Sequence, residues 1–341
     1  GDGYSDVIVG ASWYSNGQIY EGAAFVYHGS ANGINNNPNL MMESNQVSAS
    51  MGYSVAGAGD VNGDGYSDVI VGVYLYDNGQ SDEGAAFVYY GSVSGINNSI
   101  KVVAESNNVN ALMGKSVSGI GDINSDGFSD IMVGANGFSN GQKYEGAAFI
   151  YLGSAIGVSA NPFLIIESNM AGAQLGNSVA GAGDVNGDGF SDLIIGAYYY
   201  SNNETNEGAA FLYYGGVNGI TTNSPAIIES NQAGVQMGWS VSGTGDINGD
   251  GYNDVILGVN GYTNGQSHEG GAYIYFGSAT GINTSSVVIL ESNQVNANMG
   301  ISVSGAGDVN GDGYSDIIIG ASNFDNGQTD EGAAFVYHGS A

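Results

Sequence analysis

The chain has 341 residues, 33 acidic side chains against three basic ones (Lys101, Lys115 and Lys143), and a formal charge of −30. Such a surface excludes nucleic acid and anionic membranes as partners, because both are bound through Lys and Arg. With no cysteine there are no disulfides. No apolar run reaches the roughly 18 residues that membrane insertion needs. A hydrophobic fraction of 42%, with Tyr and Phe at fixed spacings, argues against disorder.

The chain opens on Gly1-Asp2-Gly3-Tyr4-Ser5-Asp6, the second half of an acidic loop, and without an initiator Met. It reads as a processed product or as a fragment of something longer. Residues 1–50 form a partial repeat, and residues 51–112 form the first complete one. In that repeat a small-residue strand (51–59) leads into an acidic loop (60–68). A short apolar strand (69–72) follows, suited to burial on both faces. The Asn78-Gly79 step signals a turn, residues 84–91 form a third strand, Gly95 marks another turn, and 100–105 form a fourth strand. The pattern returns over 113–174, 175–236 and 237–298, and an incomplete repeat occupies 299–341. A fixed period of this length signals a repeat architecture, and four short strands per repeat fit a propeller blade. The expected fold is an all-β propeller of four-stranded antiparallel blades forming one domain over 1–341. It has 22 strands, no helix, and six blades, or seven if the natural chain is longer. Alternating strand direction places the acidic loops and the turns after third strands on one face. The other two sets of turns fall on the opposite face.

The acidic loop carries the chemistry. Residues 60–68 read Asp-Val-Asn-Gly-Asp-Gly-Tyr-Ser-Asp, and the pattern returns at 122–130, 184–192, 246–254 and 308–316, always 62 residues on. Oxygen-bearing side chains stand at loop positions 1, 3, 5 and 9 of each copy, as a hard cation such as calcium requires. A solvated Asp-Asn-Gly turn is the plain alternative for one such loop, and five copies in register argue against it. Gly63 and Gly65 permit the positive φ of a tight wrap, whereas Ser125 replaces the first of these glycines in the third copy. The spacing begins like an EF-hand, but Val71 stands where a twelfth-position Glu is needed.

Met51-Gly52, Gly59-Asp60, Asp64-Gly65, Asp68 and Val71-Gly72-Val73, with equivalents at every 62-residue step, resemble the FG-GAP repeats of integrin α-subunit propellers over nearly the whole chain. Met51, Met113, Leu175, Met237 and Met299 stand where that family usually has Phe, and Gly72-Val73-Tyr74 lacks the proline of its GAP element. The resemblance implies a β-propeller, calcium in the acidic loops, an extracellular location, and ligand recognition on the face away from the metals. Carried over residue by residue, it implies as metal ligands Asp60, Asn62, Asp64, the Tyr66 carbonyl and Asp68. In the next copies they are Asp122, Asn124, Asp126, Phe128 and Asp130, then Asp184, Asn186, Asp188, Phe190 and Asp192. The last two sets are Asp246, Asn248, Asp250, Tyr252 and Asp254, then Asp308, Asn310, Asp312, Tyr314 and Asp316. Position 7 alternates between Tyr and Phe because only its carbonyl is expected to reach the ion. The first copy keeps Asp2 and Asp6 alone and is expected to bind poorly. The ions are structural, and their sites are expected to act independently, so that losing Asp188 weakens one site only.

Two recurrent glutamates, exemplified by Glu83 and Glu105, are read as turn caps, with second-metal or ligand contact as the alternative. The turns between second and third strands diverge most, and Trp13, Tyr14, Tyr198, Tyr199 and Tyr200 are the candidate ligand patch, with packing against neighbouring blades as the equal alternative. His28, His268 and His338 are scattered, and neither a Walker loop nor a Gly-x-Ser-x-Gly elbow is present, so no enzyme activity is expected. The leading expectation is a secreted or cell-surface calcium-stabilised propeller that binds an extracellular protein or glycan in adhesion. The rival is a structural subunit of a surface layer, sheath or filament, self-assembling through incomplete terminal blades. A polysaccharide-active enzyme ranks behind both.

Overall fold

The structure, a computed structural model, describes residues 3–99, 101–222 and 224–341, so Asp2 lies outside the described residues. Every regular element among them is a strand, and there are 22, the expected number. The first sheet holds β1 (Val7–Ala11), β2 (Ala23–Tyr27) and β3 (Leu40–Glu43). The second holds β4 (Met51–Gly59), β5 (Asp68–Val73), β6 (Ala85–Tyr89) and β7 (Lys101–Glu105). The third holds β8 (Ser116–Gly121), β9 (Asp130–Ala135), β10 (Ala147–Tyr151) and β11 (Leu164–Glu167). The fourth holds β12 (Ser178–Gly183), β13 (Asp192–Ala197), β14 (Ala209–Tyr213) and β15 (Ala226–Glu229). The fifth holds β16 (Val241–Gly245), β17 (Asp254–Val259), β18 (Gly271–Tyr275) and β19 (Val288–Glu291). The sixth holds β20 (Met299–Gly307), β21 (Asp316–Ala321) and β22 (Ala333–Tyr337). Each sheet is an antiparallel meander in chain order, consistent with a propeller blade.

Register repeats with the sequence. Val71 faces Phe87 and Phe87 faces Val103, as Val133 faces Phe149 and Phe149 faces Ile165. A bulge just before each acidic loop, at Gly57/Gly59 and its four equivalents, shifts the ladder by one residue. Such a bulge bends and re-aims the strand, so each loop leaves its sheet at the same place.

The chain divides into two compact units, each described by itself. The first contains residues up to Asp122 together with Asp126–Ala171, and so the first three sheets. The second sheet presents an apolar face to each neighbour, because side chains alternate along a strand. Val71 and Phe87 join Val26 and Met42 of the first sheet, while Ile70 and Val88 join Val133 and Phe149 of the third. Each large side chain buried this way contributes about 1.5–3 kcal/mol. The second unit holds Ile123–Ser125 and Gly172–Ala341. There Leu212 and Ile194 pack with Val255 and Leu257, and Ile256 and Ile274 pack with Ile317 and Ile319.

The two glycine motifs meet between sheets. A Cβ on Gly72 would collide with the carbonyl of Gly114, and Gly10 stands in the same relation to Gly52. The second unit repeats the pairing at Gly196 and Gly238 and at Gly258 and Gly300. The glycine of one repeat's Gly-Ala-like element thus abuts the glycine at the head of the next repeat. The Met or Leu before that second glycine is fully buried at Met51, Met113, Leu175, Met237 and Met299. Flexible Met fills the slot expected of Phe without disturbing the glycine contact.

Candidate functional site

In each acidic loop the side chains first organise their own backbone. Asp60 Oδ1 accepts the N–H groups of Gly63 (2.7 Å) and Asp64 (3.1 Å), and Oδ2 accepts that of Gly65 (2.8 Å). Asn62 Oδ1 accepts the Asp64 N–H (3.0 Å), and Asp64 Oδ1 accepts the Tyr66 N–H (3.0 Å). The same bonds recur around Asp184, Asp246 and Asp308. Around Asp122, Oδ1 accepts the Asp126 N–H (3.1 Å) and Oδ2 that of Gly127 (2.8 Å). Asp, Asn and Gly at these positions fold that way locally because short oxygen-bearing side chains satisfy turn N–H groups.

The ninth-position aspartate reaches furthest inward. Asp68 is fully buried; its Oδ2 accepts the Val61 N–H (2.9 Å), and Oδ1 accepts the Gly91 N–H (2.7 Å) from the turn after β6. The acidic loop is thereby tied to the neighbouring turn on the expected face. Burial pushes the Asp68 carboxyl up to about 6 against the pull of those two N–H groups, and the charges of Asp64 and Asp60 add to the rise. Asp192 is pushed up to about 7 and Asp254 to about 6 for the same reasons. Asp316 differs: burial works upward, but the N–H groups of Gly339 and Val309 and the imidazole of His338, 3.2 Å away, hold it below the usual carboxylate range. Of the first copy, Asp6 Oδ1 accepts the Gly29 N–H at 2.9 Å.

Among the described residues no group of three or more His, Cys, Asp or Glu side chains stands in a metal-holding arrangement. The donor set nevertheless fits a hard cation chemically. Three carboxylates and an amide oxygen belong to one nine-residue loop, and burial, with the charges of two neighbouring aspartates adding to it, pushes the buried member toward its neutral form.

Successive loops touch. The Ser129 N–H donates to the Asp60 carbonyl (3.0 Å), Asn253 to Asp184 (3.0 Å) and Ser315 to Asp246 (2.9 Å). The position-7 ring also has a task that sequence reasoning missed. A Cβ on Gly63 would lie 2.6 Å from the Phe128 ring, and one on Gly187 would lie 2.7 Å from the Tyr252 ring. The signal was present, since position 7 is always aromatic and never aliphatic.

On the opposite face the turn glutamates are caps. Glu83 is fully buried, and its Oε1 accepts the N–H groups of Asn78 (2.7 Å) and Gln80 (3.4 Å). Asn78 Nδ2 in turn donates to Glu105 Oε1 (2.7 Å). The clasp recurs at Glu21, Glu145, Glu207 and Glu269. In each of these five residues Oε2 is buried without a hydrogen-bond partner among the described residues, a feature invisible in the sequence.

The candidate aromatic patch is split. Tyr14 and Tyr200 pack edge-on against Phe25 and Phe211 of their own sheets, with centroids 5.4 and 5.3 Å apart. Tyr198 is buried between Tyr199 (4.1 Å) and Trp239 (4.8 Å), and its hydroxyl donates to Gln174 Oε1 (2.6 Å). Trp13, by contrast, is 78% exposed.

FG-GAP repeats match at residues 51–89, 113–151, 175–213, 237–275 and 299–337, more than half of the chain. The chain therefore belongs to the FG-GAP repeat family, and it is homologous to the N-terminal region of integrin α-subunits. It is 34% identical to human integrin alpha-7 over 161 residues, covering 47% of this chain and 13% of that protein. It is 33% identical to chicken integrin alpha-6 over 160 residues, 46% of this chain and 14% of the relative. Integrin alpha pat-2 of Caenorhabditis elegans is 29% identical over 226 residues, 61% of this chain and 18% of its own length. The chain thus spans less than a fifth of the length of these relatives. Among the described residues no helix is long and apolar enough to cross a membrane.

Proposed function

We propose that this chain is a non-enzymatic, extracellular β-propeller domain, held together by calcium and serving adhesion through its turn face. In this reading the six sheets close as one domain over 1–341, and recognition of a protein or glycan falls to the face opposite the acidic loops. The similarity to integrin α-subunits supports the receptor-like role. The observation that carries the calcium reading is the buried aspartate beside two more aspartates, repeated from loop to loop. The ion would be held by Asp60, Asn62, Asp64, the Tyr66 carbonyl and Asp68, and by the corresponding sets in the other four full loops. Bound calcium supplies positive charge where the chain has concentrated negative charge, and five such ions would bring −30 to about −20.

Calcium removal is the direct test. A ligand that binds only the folded state stabilises it by about 2.7 kcal/mol per site at a hundredfold excess over Kd. Several sites emptied together lower Tm by about 10 °C or more. Thermal unfolding in calcium, in magnesium and in excess EGTA measures this, with calorimetric titration giving the stoichiometry. Equal melting in calcium and EGTA would overturn the reading.

A further inference from the structure

Three repeat columns that vary in side chain each place residues at the turn end of the first unit. The column of the third residue in each repeat reads Tyr53, Lys115, Asn177, Trp239 and Ile301, a different residue every time. The column of Trp13 continues as Leu75, Gly137, Tyr199, Gly261 and Asn323. Tyr20 belongs to a third such column, with Asp82, Tyr144, Asn206, His268 and Asp330. The acidic loops are repeated almost unchanged, whereas these columns vary from repeat to repeat.

In the first unit these positions border a cleft of about 400 Å³ lined by Trp13, Tyr20, Ser48, Ser50, Tyr74 and Leu75. Trp13 and Tyr20 are exposed, at 78% and 54%. Tyr74 is fixed from behind by Tyr53, 4.5 Å between centroids. Lys115 Nζ lies 4.0 and 4.8 Å over those two rings and 2.8 Å from the Tyr53 hydroxyl.

We propose that this cleft binds one pyranose ring of a neutral glycan, with the Trp13 indole as the stacking platform and the exposed Ser48 hydroxyl as a polar partner, the Ser50 hydroxyl being buried and already engaged by the Ser48 carbonyl. The proposal rests on the adhesion reading above and specifies its ligand. Its volume is at the small-ligand end of the range for pockets, about 300–1,000 Å³. A protein partner needs about 800 Å² of surface on each side, far beyond a cleft with six lining residues. Flat aromatic faces beside hydroxyls match the two faces of a sugar, which offers C–H groups to a ring and hydroxyls to polar groups. Charge selects the neutral class. A chain of −30 repels carboxylate, sulfate and phosphate groups. The nearby cation, Lys115, is already engaged by the Tyr53 hydroxyl and both rings.

The chain has two tryptophans, so Trp239→Phe leaves Trp13 as the sole indole reporter. The full chain carrying that change is titrated in calcium with hexasaccharides of glucose, mannose, galactose and N-acetylglucosamine, and with oligogalacturonate as the acidic comparison. The expected result is a saturable blue shift of Trp13 emission with a neutral oligosaccharide and none with oligogalacturonate. Trp13→Ala in the otherwise natural chain should lower affinity at least tenfold by calorimetry at unchanged Tm. Silent Trp13 emission with every neutral sugar, or undiminished binding by Trp13→Ala, overturns the assignment. Retention on surfaces coated with extracellular-matrix protein is measured in parallel. Retention there without any sugar response removes the cleft assignment and leaves the adhesion reading standing; no response in either assay removes both.

Discussion

Ser125 sits at φ +56° in the loop position where Gly63, Gly187, Gly249 and Gly311 hold φ between +72° and +76°. The left-handed conformation costs an L-residue roughly 1–2 kcal/mol, because Cβ approaches the following carbonyl. Glycine escapes that cost but gives up about 0.5–1 kcal/mol through its freer unfolded chain. Ser125→Gly is therefore expected to stabilise the protein by about 0.5–1 kcal/mol. The gain should show as a higher urea midpoint at unchanged slope. A lower midpoint would mean that the Ser125 side chain contributes a contact outweighing its backbone strain. The reverse change at Gly63 should be worse than backbone strain alone, since the Phe128 ring already occupies the space beside it.

At the scale of elements, loops expected to act singly are joined in series within each unit. The Asp60 carbonyl holds the Ser129 N–H, and the Phe128 ring covers Gly63, so the loop of 122–130 braces the loop before it. Phe128→Ala keeps the backbone carbonyl that its own loop would offer an ion but removes the brace. The expected outcome is about tenfold weaker calcium binding, on the order of 1.4 kcal/mol, in the loop of 60–68, with a smaller change in 122–130. Residue-resolved NMR titration of the Gly65 and Gly127 amides separates the two. A change confined to Gly127 would restore the picture of independent sites. The sheets themselves were legible: β4 begins and ends at the residues read from its glycines and flanking loop, and the strand order follows from four short runs separated by turn residues. The bracing was not legible, because period and spacing describe one repeat and say nothing about which atom of the next repeat lies 3 Å away. The same holds for Glu83. Its recurrence marked it as important, but only the fold shows one oxygen capping two N–H groups and the other left bare.

Across the whole molecule one tyrosine column sets the alkaline limit of the fold. Tyr89, Tyr151, Tyr213 and Tyr275 end the third strand of their sheets and are all buried. Burial pushes the Tyr213 and Tyr275 phenols up to about 12, and drives those of Tyr89 and Tyr151 higher still. In the unfolded chain the same phenols release their protons near 10. Between these values the folded state binds more protons than the unfolded one, so stability falls as pH rises. The contribution is fully present below about pH 10 and is lost as pH climbs through the folded values. Each phenol raised by about two units accounts for roughly 2–3 kcal/mol, a large share of the stability of an ordinary domain. The formal charge of −30 leaves little tolerance for further anions in the interior. Urea midpoints are therefore expected to change little between about pH 8 and 9.5, above the range in which the raised Asp68, Asp192 and Asp254 carboxyls ionise, and to fall steeply toward pH 11–12. Near-ultraviolet phenolate absorbance should then show an exposed class that titrates first and a buried class that ionises only as the sheets unfold. A single class of phenols ionising near pH 10 in a chain that remains folded would contradict the burial of this column.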